Sequence, residues 1–138
     1  MILRINVWIS YKGLQKTAYT GIKFPYRALC LSDRKNREFS SITDIYCELV
    51  KLYDIAKNKG FNLGEALYTQ SFFFANHDLL INTESQNRIK EYQFCKKFKC
   101  PPYPSLQNTP ANIIDDFMII DEEYNLCMEH SQKEKKDK

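Results

Sequence analysis

The sequence predicts an α+β fold, mostly helical, with a short antiparallel β-hairpin or three-stranded sheet at its front and four helices behind it. Three observations predict this. Residues 3–11 alternate Leu3, Ile5, Val7, Ile9 and Tyr11 with Arg4, Asn6, Trp8 and Ser10, the period of a half-buried strand. From residue 41 onward, capping residues and apolar positions recur at helical spacing. Thr109-Pro110 is the clearest helix start, followed by Ile113, Phe117, Ile120, Tyr124 and Cys127 at spacings of four, three, four and three.

The elements follow in order. Lys12-Gly13 signals a turn, and residues 15–20 and 22–31 read as further extended segments, the second broken or at an edge at Pro25, which has no N–H to donate. Residues 32–40 (SDRKNREFS) are polar and basic and read as a loop. Ser41 or Thr43 caps a helix with Ile45, Leu49, Leu52 and Ile55-Ala56 as its stripe, ended by Lys59-Gly60. A second helix runs from Asn62, with Glu65 as capping-box partner, to about Ile81. A third spans about 84–99, with Ile89, Tyr92, Phe94, Cys95 and Phe98 as apolar members. Residues 101–104 (PPYP) are extended and turn the chain, so that a fourth helix, capped by Thr109 and running to about Glu129, packs back antiparallel on the second and third. The chain reads as a single domain over residues 1–130, β-rich in 1–31 and helical in 41–130, with 131–138 a solvated tail or frayed helix end.

With 138 residues, a chain of this composition buries roughly two-thirds of its unfolded surface and needs no metal or disulfide merely to fold. The five cysteines are odd in number and no secretory signal precedes them, so reduced thiols and a protein that is not secreted are expected. No apolar run approaches the ~18 residues of a membrane span, so no membrane partner is expected. The net charge of +3 is unevenly spread: residues 1–60 hold eleven Lys/Arg against five Asp/Glu, and residues 111–138 hold four against eight. A basic front and an acidic rear suit head-to-tail packing between copies or a basic face for a polyanion.

Candidate chemistry is sparse. Cys95, Cys100, Cys127 and His130 read Cys-x4-Cys…Cys-x2-His, ligand types that zinc accepts, though Cys95 and Cys127 both fall on apolar faces where a free thiol is an ordinary small core residue. His77 lies beside Asp78, but adjacent helical residues do not face each other, so the pair is no dyad. Asp115, Asp116, Asp121, Glu122 and Glu123 could pair for Mg²⁺, yet read as a solvated face opposite the apolar stripe. Glycines at 13, 21, 60 and 64 make no phosphate-cradling loop. The sequence offers no catalytic constellation and no cofactor motif. Lys23, Arg27, Arg34, Lys35 and Arg37, interleaved with Phe24, Tyr26 and Phe39, form a basic, aromatic stretch that could bind nucleic acid by phosphate neutralisation and base stacking.

The segment 92–123 (YQFCKKFKCPPYPSLQNTPANIIDDFMIIDEE) resembles a pattern in small proteins of tailed bacteriophages. In these, an aromatic-rich helix leads through a Pro-x-Pro turn and a Gln-Pro-Ala helix start into a helix with an acidic residue, a hydrophobic pair and a Glu. The matching positions are Pro102, Pro104, Pro110, Ala111, Asp115, Ile120 and Glu123; Ser105 and Thr109 stand where the family has Gly and Gln. The resemblance implies a tail-morphogenesis or virion-associated protein, in the virion or host cytoplasm. It would work by contact with other virion or assembly proteins or with further copies of itself, not by catalysis. A small inhibitor of a host factor is the alternative contact-based expectation.

Overall fold

A computed structural model describes residues 1–12, 23–76 and 79–136 of the chain. The extended segment expected over 15–20 and the His77-Asp78 pair lie outside these residues. The described elements run α1 (Ile2–Tyr11), β1 (Tyr26–Cys30), β2 (Lys35–Phe39), α2 (Ile42–Asn58), α3 (Leu63–Ser71), α4 (Thr83–Phe98) and α5 (Ala111–Lys136). The α+β, mostly helical class holds, with five helices among the described residues in place of four.

The largest correction is at the front. The alternating segment is not a strand but helix α1, and it is the centre of the fold, packed against α3, α4 and α5. Its residues Ile5, Asn6, Val7, Trp8 and Ile9 are buried without a break, so no polar face marks the helical period. The buried polar member, Asn6, is fully used. Its Nδ2 donates to the carbonyls of Ile2 and Leu80, at 2.9 and 3.1 Å, and its Oδ1 accepts from the Asn82 N–H and Gln86 Nε2, at 3.0 and 2.9 Å. These bonds fix α1 to the segment that leads into α4.

The sheet is a two-stranded antiparallel hairpin with Arg27 opposite Glu38 and Cys30 opposite Lys35. The segment expected to be a loop therefore supplies β2. Its residues 35–38 are all exposed, because a two-stranded ribbon leaves charged side chains in water on either face. Tyr26 and Phe39 turn inward, stack on each other, and carry the stack on to Phe74. The buried Glu48 carboxylate on α2 accepts from the Ser32 N–H at 3.3 Å and tethers the hairpin turn.

Helix boundaries marked by local signals stand where expected. Ser41 is the N-cap position of α2, and Asp44 Oδ2 accepts the Ser40 N–H at 2.8 Å. Gly60, at φ +73, ends that helix in the left-handed region. Asn82 caps α4 by accepting from the Ser85 N–H at 2.8 Å. Other boundaries differ. The helix begun at Asn62 stops at Ser71, not Ile81: Phe72 and Phe73 are exposed and only Phe74 of that run is buried. Thr109 does not cap α5. Its hydroxyl donates to the Ser105 carbonyl at 2.7 Å, closing the preceding turn. Helix α5 continues through Lys136, past the expected end at Glu129.

The docking of α5 also departs from expectation. Arg88 meets Asp116 at 3.1 Å, the Tyr92 hydroxyl donates to Asp121 at 2.6 Å, and Gln93 donates to the Tyr124 hydroxyl. These contacts advance the same way along both helices, so α4 and α5 run in the same direction, not antiparallel. Twelve residues, 99–110, separate the two helices. The segment expected to be extended instead bends at 102–105 and turns at 106–108; its fully extended reach of up to ~40 Å leaves slack for these bends over the ~24 Å return along α4. The principal support of α5 is α1. Ile113 and Ile120 are buried, whereas Phe117 and Tyr124 are half-buried against Tyr92.

Candidate interaction surface and the buried ionic cluster

Where α1, α3 and α5 meet, a charged group lies inside the core. Glu123 is fully buried. Its Oε1 accepts from Arg4 Nη1 at 2.7 Å and its Oε2 from Trp8 Nε1 at 2.7 Å, so each carboxylate oxygen holds a donor. Burial opposes the Arg4 charge, but the bonds and charges of Glu123 and Glu122 outweigh it and raise the pKa of Arg4 above its ordinary value. Gly64 makes room: a Cβ there would stand 2.2 Å from Glu123 Oε2 and 2.6 Å from Trp8 Nε1. The sequence reading placed Glu123 on the solvated face with Asp121 and Glu122. In fact Glu123 follows Ile120 by three residues and precedes Cys127 by four, which puts it on the buried stripe. That spacing was the available signal.

Cys127, one turn further on, is buried beneath this pair. Burial first, and then the neighbouring Glu123 carboxylate, push its thiol up to about 12. His130 sits edge-on to the Trp8 ring, centroids 5.6 Å apart, with Nε2 3.4 Å from Glu65 and Nδ1 3.5 Å from Glu134. The carboxylate of α5 locks to the guanidinium and indole of α1, and the His130–Glu65 contact ties α5 to α3.

The candidate zinc ligands form two separate pairs. Cys95 and Cys100 meet at the end of α4, while Cys127 and His130 face Trp8 and α3. Among the described residues no three His, Cys, Asp or Glu side chains are grouped to hold a metal ion. The candidate Mg²⁺ carboxylates are also dispersed: Asp116 pairs with Arg88, Asp121 with the Tyr92 hydroxyl, Glu122 and Glu123 with Arg4. Of the basic stretch, Lys23, Arg27, Arg34, Lys35 and Arg37 are all exposed. They do not share one face: Arg27 and Arg37 belong to opposite faces of the ribbon, Arg34 forms the turn at φ 58, and Arg37 is paired with Asp33. Tyr26 and Phe39 are committed to the core stack, and the Tyr26 hydroxyl donates to the Phe74 carbonyl at 2.7 Å. Base stacking on those two rings is closed off.

One surface is built differently from the rest. Pro101, Pro102, Leu106 and Thr109 from the returning segment, with Ile113, Ile114, Phe117 and Met118 from α5, line a groove of about 420 Å³ whose wall is almost wholly apolar. Leu106 is 74% exposed and Met118 67%. The acidic side chains of Asp115, Asp121 and Glu122 lie along the same stretch of α5 and are exposed. The groove exists because α5 runs with α4: the returning chain lies beside the first turns of α5 without covering them. Among the described residues no helix is long and apolar enough to cross a membrane.

An alkaline titration tests the buried thiol. Cys127 titrates near 9 when exposed and is raised to about 12 in the fold, so the stability it contributes is complete below pH ~9 and is lost as the pH rises toward 12. Over that window its share of the slope is about 1.4 kcal/mol per pH unit. Urea midpoints measured from pH 8 upward should fall less steeply in Cys127→Ala than in the parent, and parallel curves would show that the thiol is not buried.

No family model, curated protein or solved structure matches this chain.

Proposed function

We propose that the protein is a non-enzymatic assembly component that associates head to tail with further copies of itself, the basic hairpin of one copy entering the apolar, acid-rimmed groove of the next. The observation that carries this reading is the groove itself, an apolar channel along the first turns of the acid-rich helix α5 with Leu106 and Met118 standing in water. Its complement is present on the same chain. The β1–β2 hairpin presents Leu29, 36% exposed, flanked by Arg27 and followed by Arg34 and Lys35. An apolar anchor that shares its ribbon face with Arg27 fits an apolar slot with Asp121 in its lining and exposed Asp115 and Glu122 on the same helix, and attraction between the opposite charges favours that orientation. Such a contact is heterologous, so it builds rings or open filaments, not closed twofold dimers. The groove residues all fall within the segment that resembles small tailed-phage proteins, which supports virion assembly as the setting.

Light scattering on the purified chain at rising concentration and low salt tests this. Species heavier than one chain are expected, shrinking as salt is added. Met118→Lys and Leu29→Asp alter exposed positions and should each return the protein to a monomer with an unchanged circular dichroism spectrum. A single-chain mass at every concentration and salt level would overturn the reading. Mass spectrometry of purified particles then separates a virion component from an inhibitor of a host factor, which would be found only in infected cells.

A further inference from the structure

Helix α4 ends in a tight reversal. Lys99 takes the left-handed conformation at φ 53, and the Cys100 N–H donates back to the Cys95 carbonyl at 3.1 Å, the bond that closes a helix over its own sixth residue. This lays residue 100 beside residue 95. The two thiols are near enough to influence each other's charge, and both residues are partly exposed. A disulfide needs the two Cα atoms to be roughly 4.4–6.8 Å apart, and the backbone bond from residue 100 to residue 95 draws the two cysteines together. The remaining cysteines are placed otherwise: Cys30 and Cys127 are buried, and Cys47 is exposed on α2.

We propose that Cys95 and Cys100 are a reversible dithiol site, oxidised to an intramolecular disulfide by small-molecule disulfides such as glutathione disulfide. The Cys100 thiolate attacks one sulfur of glutathione disulfide, and the departing glutathione thiolate takes up a proton. The Cys95 sulfur, losing its proton to solvent, then attacks the Cys100 sulfur of the mixed disulfide and releases the second glutathione. Two protein thiols give up two electrons and two protons, and one glutathione disulfide becomes two glutathione thiols. Burial of the Cys95 thiol, and then its neighbours Cys100 and Glu91, raise its pKa, so Cys95 holds its proton while Cys100 reacts. That order leaves Cys95 as the resolving partner. The site has a mechanical consequence. Pro101 and Pro102 follow Cys100 directly and form one wall of the apolar groove. A covalent bond at Cys100 would hold that wall against the end of α4. The formation of the disulfide does not depend on the head-to-tail reading; the significance of a stiffened groove does.

The test incubates the folded full chain with glutathione disulfide, blocks remaining thiols by alkylation and reads the intact mass and tryptic peptides. Trypsin cuts after Lys96, Lys97 and Lys99, so a closed site yields two peptides joined by the Cys95–Cys100 bond. The expected product has lost two hydrogens at this site, and Cys95→Ser should instead keep one stable glutathione adduct on Cys100. Separate glutathione adducts on both cysteines of the parent, or both remaining reduced while Cys47 reacts, would overturn the site. Hydrogen exchange of amides 99–106 reports the groove wall: slower exchange in the oxidised protein supports the mechanical consequence, and unchanged exchange overturns it. Light scattering on the oxidised protein is read separately, so a monomer at every concentration would refute the head-to-tail proposal and leave the disulfide standing.

Discussion

Gly64→Ala is expected to lower stability by about 3–5 kcal/mol, the penalty of breaking a buried ion pair, and to drop the thermal midpoint by roughly 10 °C in a domain of this size. On an exposed helix the same change would stabilise by about 1 kcal/mol, since Ala is the better helix former. Here the added methyl would stand 2.2 Å from a Glu123 oxygen held by Arg4 and Trp8, and 2.6 Å from the indole nitrogen itself. Neither group can retreat without losing a hydrogen bond in the core. Gly60→Ala is the control. Nothing lies within 4 Å of its Cβ position, and only the left-handed backbone at φ +73 opposes the change, at roughly 1–2 kcal/mol. Thermal or chemical denaturation followed by the emission of Trp8, the single tryptophan, measures both. Equal losses for the two variants would mean that Glu123 is free to move.

Glu123→Ala should cost a similar ~3–5 kcal/mol, because it strands the Arg4 guanidinium and leaves the Trp8 N–H without an acceptor. Arg4→Met alone should also destabilise, by leaving a buried carboxylate without its counter-charge. Arg4→Met with Glu123→Leu removes both charges at once and should be more stable than either single replacement. A double-mutant cycle on this pair is expected to show a coupling of at least ~2 kcal/mol. Additive losses would place the two charges in water. In the Glu123→Ala background, the penalty of Gly64→Ala should shrink, with Trp8 Nε1 the remaining obstacle.

The parts of the fold legible in the sequence were those set by short-range chemistry. Asn82 and Gly60 act within one turn of themselves, so the ends they mark can be read from a few neighbours. Helix α1 could not be read that way. Its alternation of Leu3, Ile5, Val7 and Ile9 with Arg4, Asn6 and Trp8 imitates a strand. Asn6 is inside, and Arg4 turned inward, because Gln86 and Glu123, more than 75 residues away, bond to them. β2 was hidden for the opposite reason, since its charged side chains stand in water on both faces of the ribbon and mimic a loop. The groove was half legible: the prolines announced a break between two helices, but the chain bends there where an extended run was expected, and its direction depends on which helix α5 prefers, and α5 prefers the segment mistaken for a strand.

The central place of α1 has a consequence for how the chain is made. The most deeply buried helix is synthesised before the helix that covers it, and the Trp8–Glu123 bond joins residues 115 apart. Until residue 123 clears the ribosome, Ile5, Val7, Trp8 and Ile9 have no α5 to bury them. The native core can therefore close only when α5 is available, the long-range pairing that slows folding and exposes nascent chains to aggregation. A chaperone that shields α1 during translation would act on the segment that most needs it.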